Sequence, residues 1–210
     1  MITKRTQNAS LVRYNVVNYV IEACKSKDFS SVHVSEICKA SDISKVTFFK
    51  YFDHKEDVLM LYMSIINTGI CIDVTERQLE SVEGLSCVID RFGGVLRDTP
   101  SIAREIVSAI IHTRPPVLPI LLTDSDKALF FPNTQFAAVN MRSFWDLIEG
   151  FMLEGILNND ITKITGPAEL TNMFTATIYG AIITGHIKGR DGQQAIIFNN
   201  ICKSWLRCLY

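Results

Sequence analysis

The sequence lacks most of the patterns that carry chemistry. Its six cysteines include no Cys-x-x-Cys pair, and in a 210-residue chain with ample apolar content such scattered thiols read as reduced, buried small side chains. The four histidines, His33, His54, His112 and His186, share no metal-ligand spacing. No Gly-x-Ser-x-Gly elbow, His-Glu-x-x-His or phosphate-loop motif occurs, so no catalytic residue, metal or cofactor is expected and an enzyme is disfavoured. Six prolines and eleven glycines are too few for a linker-dominated or collagen-like chain. With 48% hydrophobic and 20% charged residues, disorder is excluded too. Neither sign of charge dominates: 21 Lys and Arg face 22 Asp and Glu, for a net charge of −1. That excludes a uniformly basic coat but permits a local basic patch.

Long apolar runs are also scarce. Residues Met1 to Asn8 are polar and lack the apolar core of a signal peptide. The stretch from Leu170 to Ile187 has no Asp, Glu, Lys or Arg, but it carries four Thr, Asn172 and His186 and barely reaches spanning length. It reads as a buried helix. A cytoplasmic protein without a membrane partner is expected.

What the sequence does contain is helical spacing. Val16, Val20 and Cys24 form one i, i+4 row and Val17 with Ile21 the next. Short helices are predicted over 34–40 and 45–52, then a long one from about His54 to Glu80 capped by Asp53. Further helices are predicted near 84–98, 101–113, 134–157, 167–188 and 192–209, with a loop or one short helix between the Arg114–Pro119 stop and Asn133. No run alternates convincingly enough for a strand. The fold class is all-α.

The stretch from Ser35 to Val58 reads as helix, tight turn, helix and an acidic entrance to a third helix. Ile37, Ala40, Ile43, Phe48 and Phe52 supply apolar anchors. Neither short helix would be stable alone, so packing onto the first helix must hold them. This is helix-turn-helix construction, whose second helix can enter a major groove. Residues 1–60 hold nine Lys and Arg against seven Asp and Glu, and residues 61–210 hold twelve against fifteen. The bias fits a DNA-facing head on a more acidic body.

Over Ile37-Cys38, Asp42-Ile43-Ser44, Val46-Thr47-Phe48-Phe49, Lys50-Tyr51-Phe52 and Lys55-Glu56-Asp57-Val58, the chain resembles the TetR (tetracycline repressor) family of transcription regulators. Glu154 to Asp160 is similar to that family's helix end before its last two helices. Asp42 stands where the family has a turn glycine, Val46 where a small residue is common, Phe49 where Tyr is usual and His33 where Thr usually caps. The resemblance implies a helix-turn-helix head over 1–54 and a helical effector-binding and dimerisation body over 55–210. It implies DNA contacts from Lys45, Thr47, Phe49, Lys50 and Tyr51, with Lys55 on a phosphate. It also implies an effector cavity lined by some of the aromatic set Phe92, Phe130, Phe131, Phe136, Phe144, Trp145 and Phe151, though for any single member plain core is the better reading. Phe92, His112, Gln135, Asn140, Phe144 and Trp145 are the expected ligand contacts, for an apolar or aromatic effector entering beneath the Pro115–Asn133 segment. Ala176, Gly180, Ala181 and Gly185, beside Ile196, Ile197, Ile201, Trp205 and Leu209, suit a homodimer seam. The implied function is a repressor on a palindromic double-stranded operator. Two alternatives stay open: control by a protein partner, or a helical binding protein or enzyme with a vestigial head.

Overall fold

The apolar rows become helices with one buried face each. The computed structural model describes residues 4–112, 120–162, 165–189 and 192–209. Among the described residues the chain is all-α, without strands. Its helices are α1 (Lys4–Ala23), α2 (Val34–Ala40), α3 (Lys45–Tyr51), α4 (Asp57–Arg77), α5 (Ser81–Asp98), α6 (Pro100–His112), α7 (Asp124–Phe130), α8 (Phe144–Leu157), α9 (Pro167–Lys188) and α10 (Gln194–Arg207). The Arg114–Pro119 stop and the first part of the expected Pro115–Asn133 cover lie outside the described residues.

Packing defines two compact units, Met1–Ile66 with Ser101–Gln135, and Asn67–Pro100 with Phe136–Tyr210. The expected division at 54/55 therefore differs from the observed packing, which joins α6 and α7 to the helices of the head. In the first unit, Val16, Val17, Val20 and Cys24 of α1 are all buried, as their spacing predicts, together with Phe29, Ile37, Phe48 and Phe52. Fully burying each such phenylalanine contributes roughly 1.5–3 kcal/mol. Ala40, expected as an anchor, is exposed instead, and the neighbouring Cys38 is buried in α2.

The first unit also shows what the 120–133 segment does. Thr123 and Asp126 form a capping box that starts α7. The Asp126 carboxylate is fully buried and accepts from Arg13 Nε (3.1 Å) and Nη2 (2.7 Å), from the Thr123 N–H (2.8 Å) and from its hydroxyl (2.8 Å). Tyr14 of α1 packs against Phe130 of α7 with ring centroids 5.1 Å apart. This short helix is bound to α1 by one satisfied charge pair and one ring contact.

In the second unit α5 packs on α8 and α10, and α9 on α8 and α10. Gly84 permits the close approach of α5 to α8, since a Cβ there would meet Phe151 Cε1 at 2.4 Å. The core is filled by Leu85, Ile89, Ile148, Phe151, Phe174 and Phe198.

Several boundaries depart from expectation by a few residues, and two departures have a visible local cause. The helix predicted from 134 starts only at Phe144, because the Ser143 hydroxyl accepts the Asp146 N–H (3.2 Å) and caps α8; before it lies a single 3-10 turn, Phe136–Ala138. The long helix α4 begins at Asp57 rather than 54 or 55. The Asp57 carboxylate, not that of Asp53, reaches back to the His54 N–H (2.8 Å). This same α4 is long and apolar enough to cross a membrane, with mean hydropathy 1.6, but 56% of that window is buried within the fold. All six cysteines are free and five are buried, with Cys208 exposed. Burial raises the thiols of Cys24, Cys38, Cys71 and Cys87, and pushes Cys202 up to about 12, so these thiols stay protonated.

Replacing Asp126 by Ala should remove the carboxylate half of α7's capping box, while the Thr123 hydroxyl keeps its cap bond, and should leave the Arg13 guanidinium, only 17% exposed, without its carboxylate. Removing one member of a buried pair typically costs 3–5 kcal/mol, and here the loss should be about 3 kcal/mol. Urea denaturation of the variant against the parent measures it; a loss below about 1 kcal/mol would show that the pair carries little.

Candidate nucleic-acid interface

The helix-turn-helix is built by local chemistry at each joint. α2 closes in a Schellman motif: Ile43 N–H reaches Cys38 O (3.0 Å) and Asp42 N–H reaches Lys39 O (3.4 Å). Such a closure needs a left-handed residue after the cap, and Asp42 supplies it with φ 52°. The residue that replaces the usual turn glycine keeps the turn. α3 then starts from Ser44, whose hydroxyl accepts the Thr47 N–H (3.0 Å). His33, at the N-cap of α2, makes no side-chain cap bond.

The seven residues of α3 divide by face. Phe48 is completely buried and stacks near Phe52, centroids 5.2 Å apart. Lys45, Val46, Phe49 and Lys50 are exposed, and Thr47 and Tyr51 are half-buried. Lys50 Nζ lies 5.8 Å from the centre of the Tyr51 ring, and the Thr47 hydroxyl is 2.9 Å from that of Ser44. Five of the expected DNA contacts, Lys45, Thr47, Phe49, Lys50 and Tyr51, therefore share one short helix. Nearby, Lys27 pairs with Glu36 at 2.6 Å; that hydrogen bond holds the Glu36 carboxyl below its usual range and offsets one negative charge close to α2.

Lys55 is placed differently from the phosphate contact expected of it. Its ammonium donates to the carbonyls of Phe29 (3.0 Å), Val32 (3.2 Å) and Ser30 (3.4 Å), and sits 4.3 Å from the centre of the Phe29 ring. An ammonium has three protons, and three carbonyls engage them. Lys55 fastens the α1–α2 connection to the turn before α4. Its spacing in the motif gives no sign of this, because the carbonyls it reaches lie more than 20 residues earlier. Val46 is the surface residue that the sequence flagged only for groove fit; at 82% exposure it is the most open large apolar side chain in the molecule's described part.

The expected ligand contacts do not form one constellation within either unit. In the second unit Phe92 meets Phe144 (5.8 Å) and Phe144 meets Trp145 (6.3 Å), both edge to face. Asn140, in the same unit, turns its amide oxygen to the Arg142 guanidinium (3.2 and 3.3 Å). His112 and Gln135 belong to the first unit, are exposed, and the His112 Nδ1 engages Ser108 O (2.8 Å). Phe151 is core against Gly84, and Phe130 belongs to the α1 contact. A notch of ≈ 530 Å³ in the second unit is lined by Glu80, Ser81, Val82, Glu83, Asn158, Asn159 and Asp160, and so carries carboxylates but no aromatic side chain. Among the described residues no group of three His, Cys, Asp or Glu could hold a metal ion.

With this geometry in hand, solved structures were compared. A repressor from Thermus thermophilus, FadR, described as a TetR-family protein in complex with lauroyl-CoA, matches over 94% of this chain and 95% of its own at 17% identity and TM-score 0.62. A TetR-family transcriptional regulator from Agrobacterium tumefaciens matches over 99% of both chains at 16% identity and TM-score 0.58. TylP, a TetR regulator from Streptomyces fradiae, matches over 97% of this chain and 86% of its own at 12% identity and TM-score 0.50. The fold is the TetR fold. No protein-family profile matches the sequence, and no curated protein sequence does. The TetR likeness is thus carried by helix order and length across nearly the whole chain. The sequence resemblance that pointed to it was specific over about 50 residues of the head, where the turn and caps are built locally, and weaker beyond, at Glu154 to Asp160.

The two lysines separate by measurement. Lys50→Ala should lower the salt dependence of DNA binding, by about 0.9 in the log–log slope for one phosphate contact, with Tm unchanged. Lys55→Ala should instead lower Tm, because three carbonyls lose their donor. A Lys50 variant with unaltered slope and affinity would remove it from the interface.

Proposed function

We propose that this chain is a homodimeric, ligand-responsive DNA-binding transcription regulator of the cytoplasm, acting as a repressor on a palindromic operator, with no enzymatic activity. The observation that carries the reading is α3. A seven-residue helix that buries only Phe48 while exposing Lys45, Val46, Phe49 and Lys50 is poorly explained as a structural element, and is well explained as a groove reader. A mobility-shift titration against random duplexes tests it: binding should fall steeply as salt rises.

The dimer reading is supported by α9. Met173, Ala176, Gly180, Ile183 and Ile187 recur at steps of three and four and are all exposed, and Ile196 of α10 is 59% exposed. This stripe has the spacing of a helix–helix seam. The small residues of α9 are divided between two tasks. Gly185 and Ala181 are buried inside the unit, where a Cβ on Gly185 would meet Gln194 O at 3.0 Å, whereas Gly180 has nothing within 4 Å. Trp205 packs on Phe174 and serves the unit's own core.

The effector reading is supported by the Phe92–Phe144–Trp145 ring series, in which Trp145 stays 47% exposed. Such a surface suits an apolar or aromatic molecule, uncharged or singly charged. The effector would release DNA by binding the two states of the regulator unequally, and its effect is bounded by that difference.

Gly180→Glu should leave the monomer's fold intact, since its Cβ meets open space, and should separate protomers by burying a carboxylate in the seam. Light scattering that still reports a dimer at low micromolar protein would place the seam elsewhere. For the effector, a thermal-shift screen of aromatic and acyl compounds is direct: a ligand at 100 times its Kd stabilises by about 2.7 kcal/mol. If only sugars, nucleotides or metal ions raise Tm and release DNA, the apolar-effector reading fails.

A further inference from the structure

Two apolar side chains on α3 reach solvent: Val46 lies open, and Phe49 rests one edge on Phe48 (centroids 5.3 Å apart) while leaving about half of its surface exposed. Val46 is 82% exposed and Phe49 48%. Three residues apart on a helix, they share one side, with Lys45 and Lys50 flanking them. Scattered single apolar residues on a surface need no explanation. This pair does, because it occupies two of only seven positions on the helix that faces the groove. A β-branched Val is a mediocre helix former, and at this exposure no packing within the unit compensates for it.

The chemistry of the pair restricts what it can read. Neither side chain has a donor or acceptor, so neither can answer the hydrogen-bond pattern of a base edge. Phe49 lacks the phenolic hydroxyl that a Tyr at this position would offer. In the major groove the four base pairs present donors, acceptors and one apolar group, the C5-methyl of thymine. We propose that Val46 and Phe49 read thymine methyl groups, so that each operator half-site is specified as thymine at the base pairs facing the first two turns of α3, while Lys45 and Lys50 hold the neighbouring backbone or guanine edges. This inference rests on the DNA-binding reading above and adds the base identity to it.

The test removes the methyl group and nothing else. Full-length protein is first used to select a duplex from a random double-stranded library. The selected duplex is then resynthesised with deoxyuridine in place of thymidine, one position at a time, and binding is followed by fluorescence anisotropy at fixed salt. For the parent protein, uracil at one or two positions per half-site should weaken binding about fourfold each, the worth of one buried CH₂ group. Val46→Ala should bind the thymine and uracil duplexes equally at one of these positions, and Phe49→Ala at the other. Val46 contributes so little buried surface that its alanine variant should keep the parent's Tm and circular dichroism, which guards the comparison against misfolding. A parent protein indifferent to uracil at every position overturns the proposal. So does a sensitivity that survives in both variants. If no duplex is selected at all, the DNA-binding reading itself has failed, and that outcome is distinct from the other two.

Discussion

The head of this protein depends on a carboxylate that it does not contain within its own motif. Asp126, fully buried in α7, fixes the Arg13 guanidinium of α1 through two parallel hydrogen bonds and closes its own helix start through Thr123. Taking both charges out of water is unfavourable, and only complete hydrogen bonding makes it tolerable. The site meets that demand: both carboxylate oxygens are engaged, and the Thr123 hydroxyl lies 3.3 Å from Ser10 of α1 as well. α1 in turn supplies the apolar face that the two short helices need, since neither α2 nor α3 could persist alone. α3 is therefore held in place by a chain of dependencies that ends in a short segment outside the recognised motif.

Lys55 is the second fastening, and it shows how a motif residue can change employment without changing identity. In a helix-turn-helix a lysine at the start of the following helix is well placed for phosphate. Here the Phe29–Val32 connection turns three carbonyls toward it and lays the Phe29 ring beside it. The cation–π contact and the three acceptors outcompete a flexible, solvated role, because a partly desolvated ammonium gains more from fixed partners than from water.

How much could be read from the sequence follows from how local each cause is. The cap at Ser44 is local but went unread, whereas the turn at Asp42 and the buried row of α1 also arise within a few residues and were legible from residue type and spacing. The end of α8 belongs with them: Asn159, at φ 61°, closes it as Asp42 closes α2. The start of α8 was missed because Ser143 and Asp146 sit inside an apolar run whose period alone suggests a longer helix. α7 could be read only as a loop or one short helix. Its Thr123-x-x-Asp126 signature is local, but nothing near it announces that Arg13 is the partner. That Lys45, Thr47, Phe49, Lys50 and Tyr51 share one short helix was legible from spacing; the carbonyl partners of Lys55 were not, because they lie in another segment. The six expected ligand contacts divide between the two units, and side-chain type says little about which unit a residue joins.

The Arg13–Asp126 pair also sets an order of events during synthesis. The two residues are 113 positions apart. At roughly 5–20 residues per second, a ribosome needs about 6–23 s to advance from one to the other. In the later part of that interval, once Val58 has been added, the complete helix-turn-helix sequence exists while α1 still lacks the helix that anchors it. The clamp on α1, and through it on α2 and α3, is thus completed only after more than half of the chain has been made. A fragment ending before α7 would carry every residue of the motif and lack the clamp that steadies it.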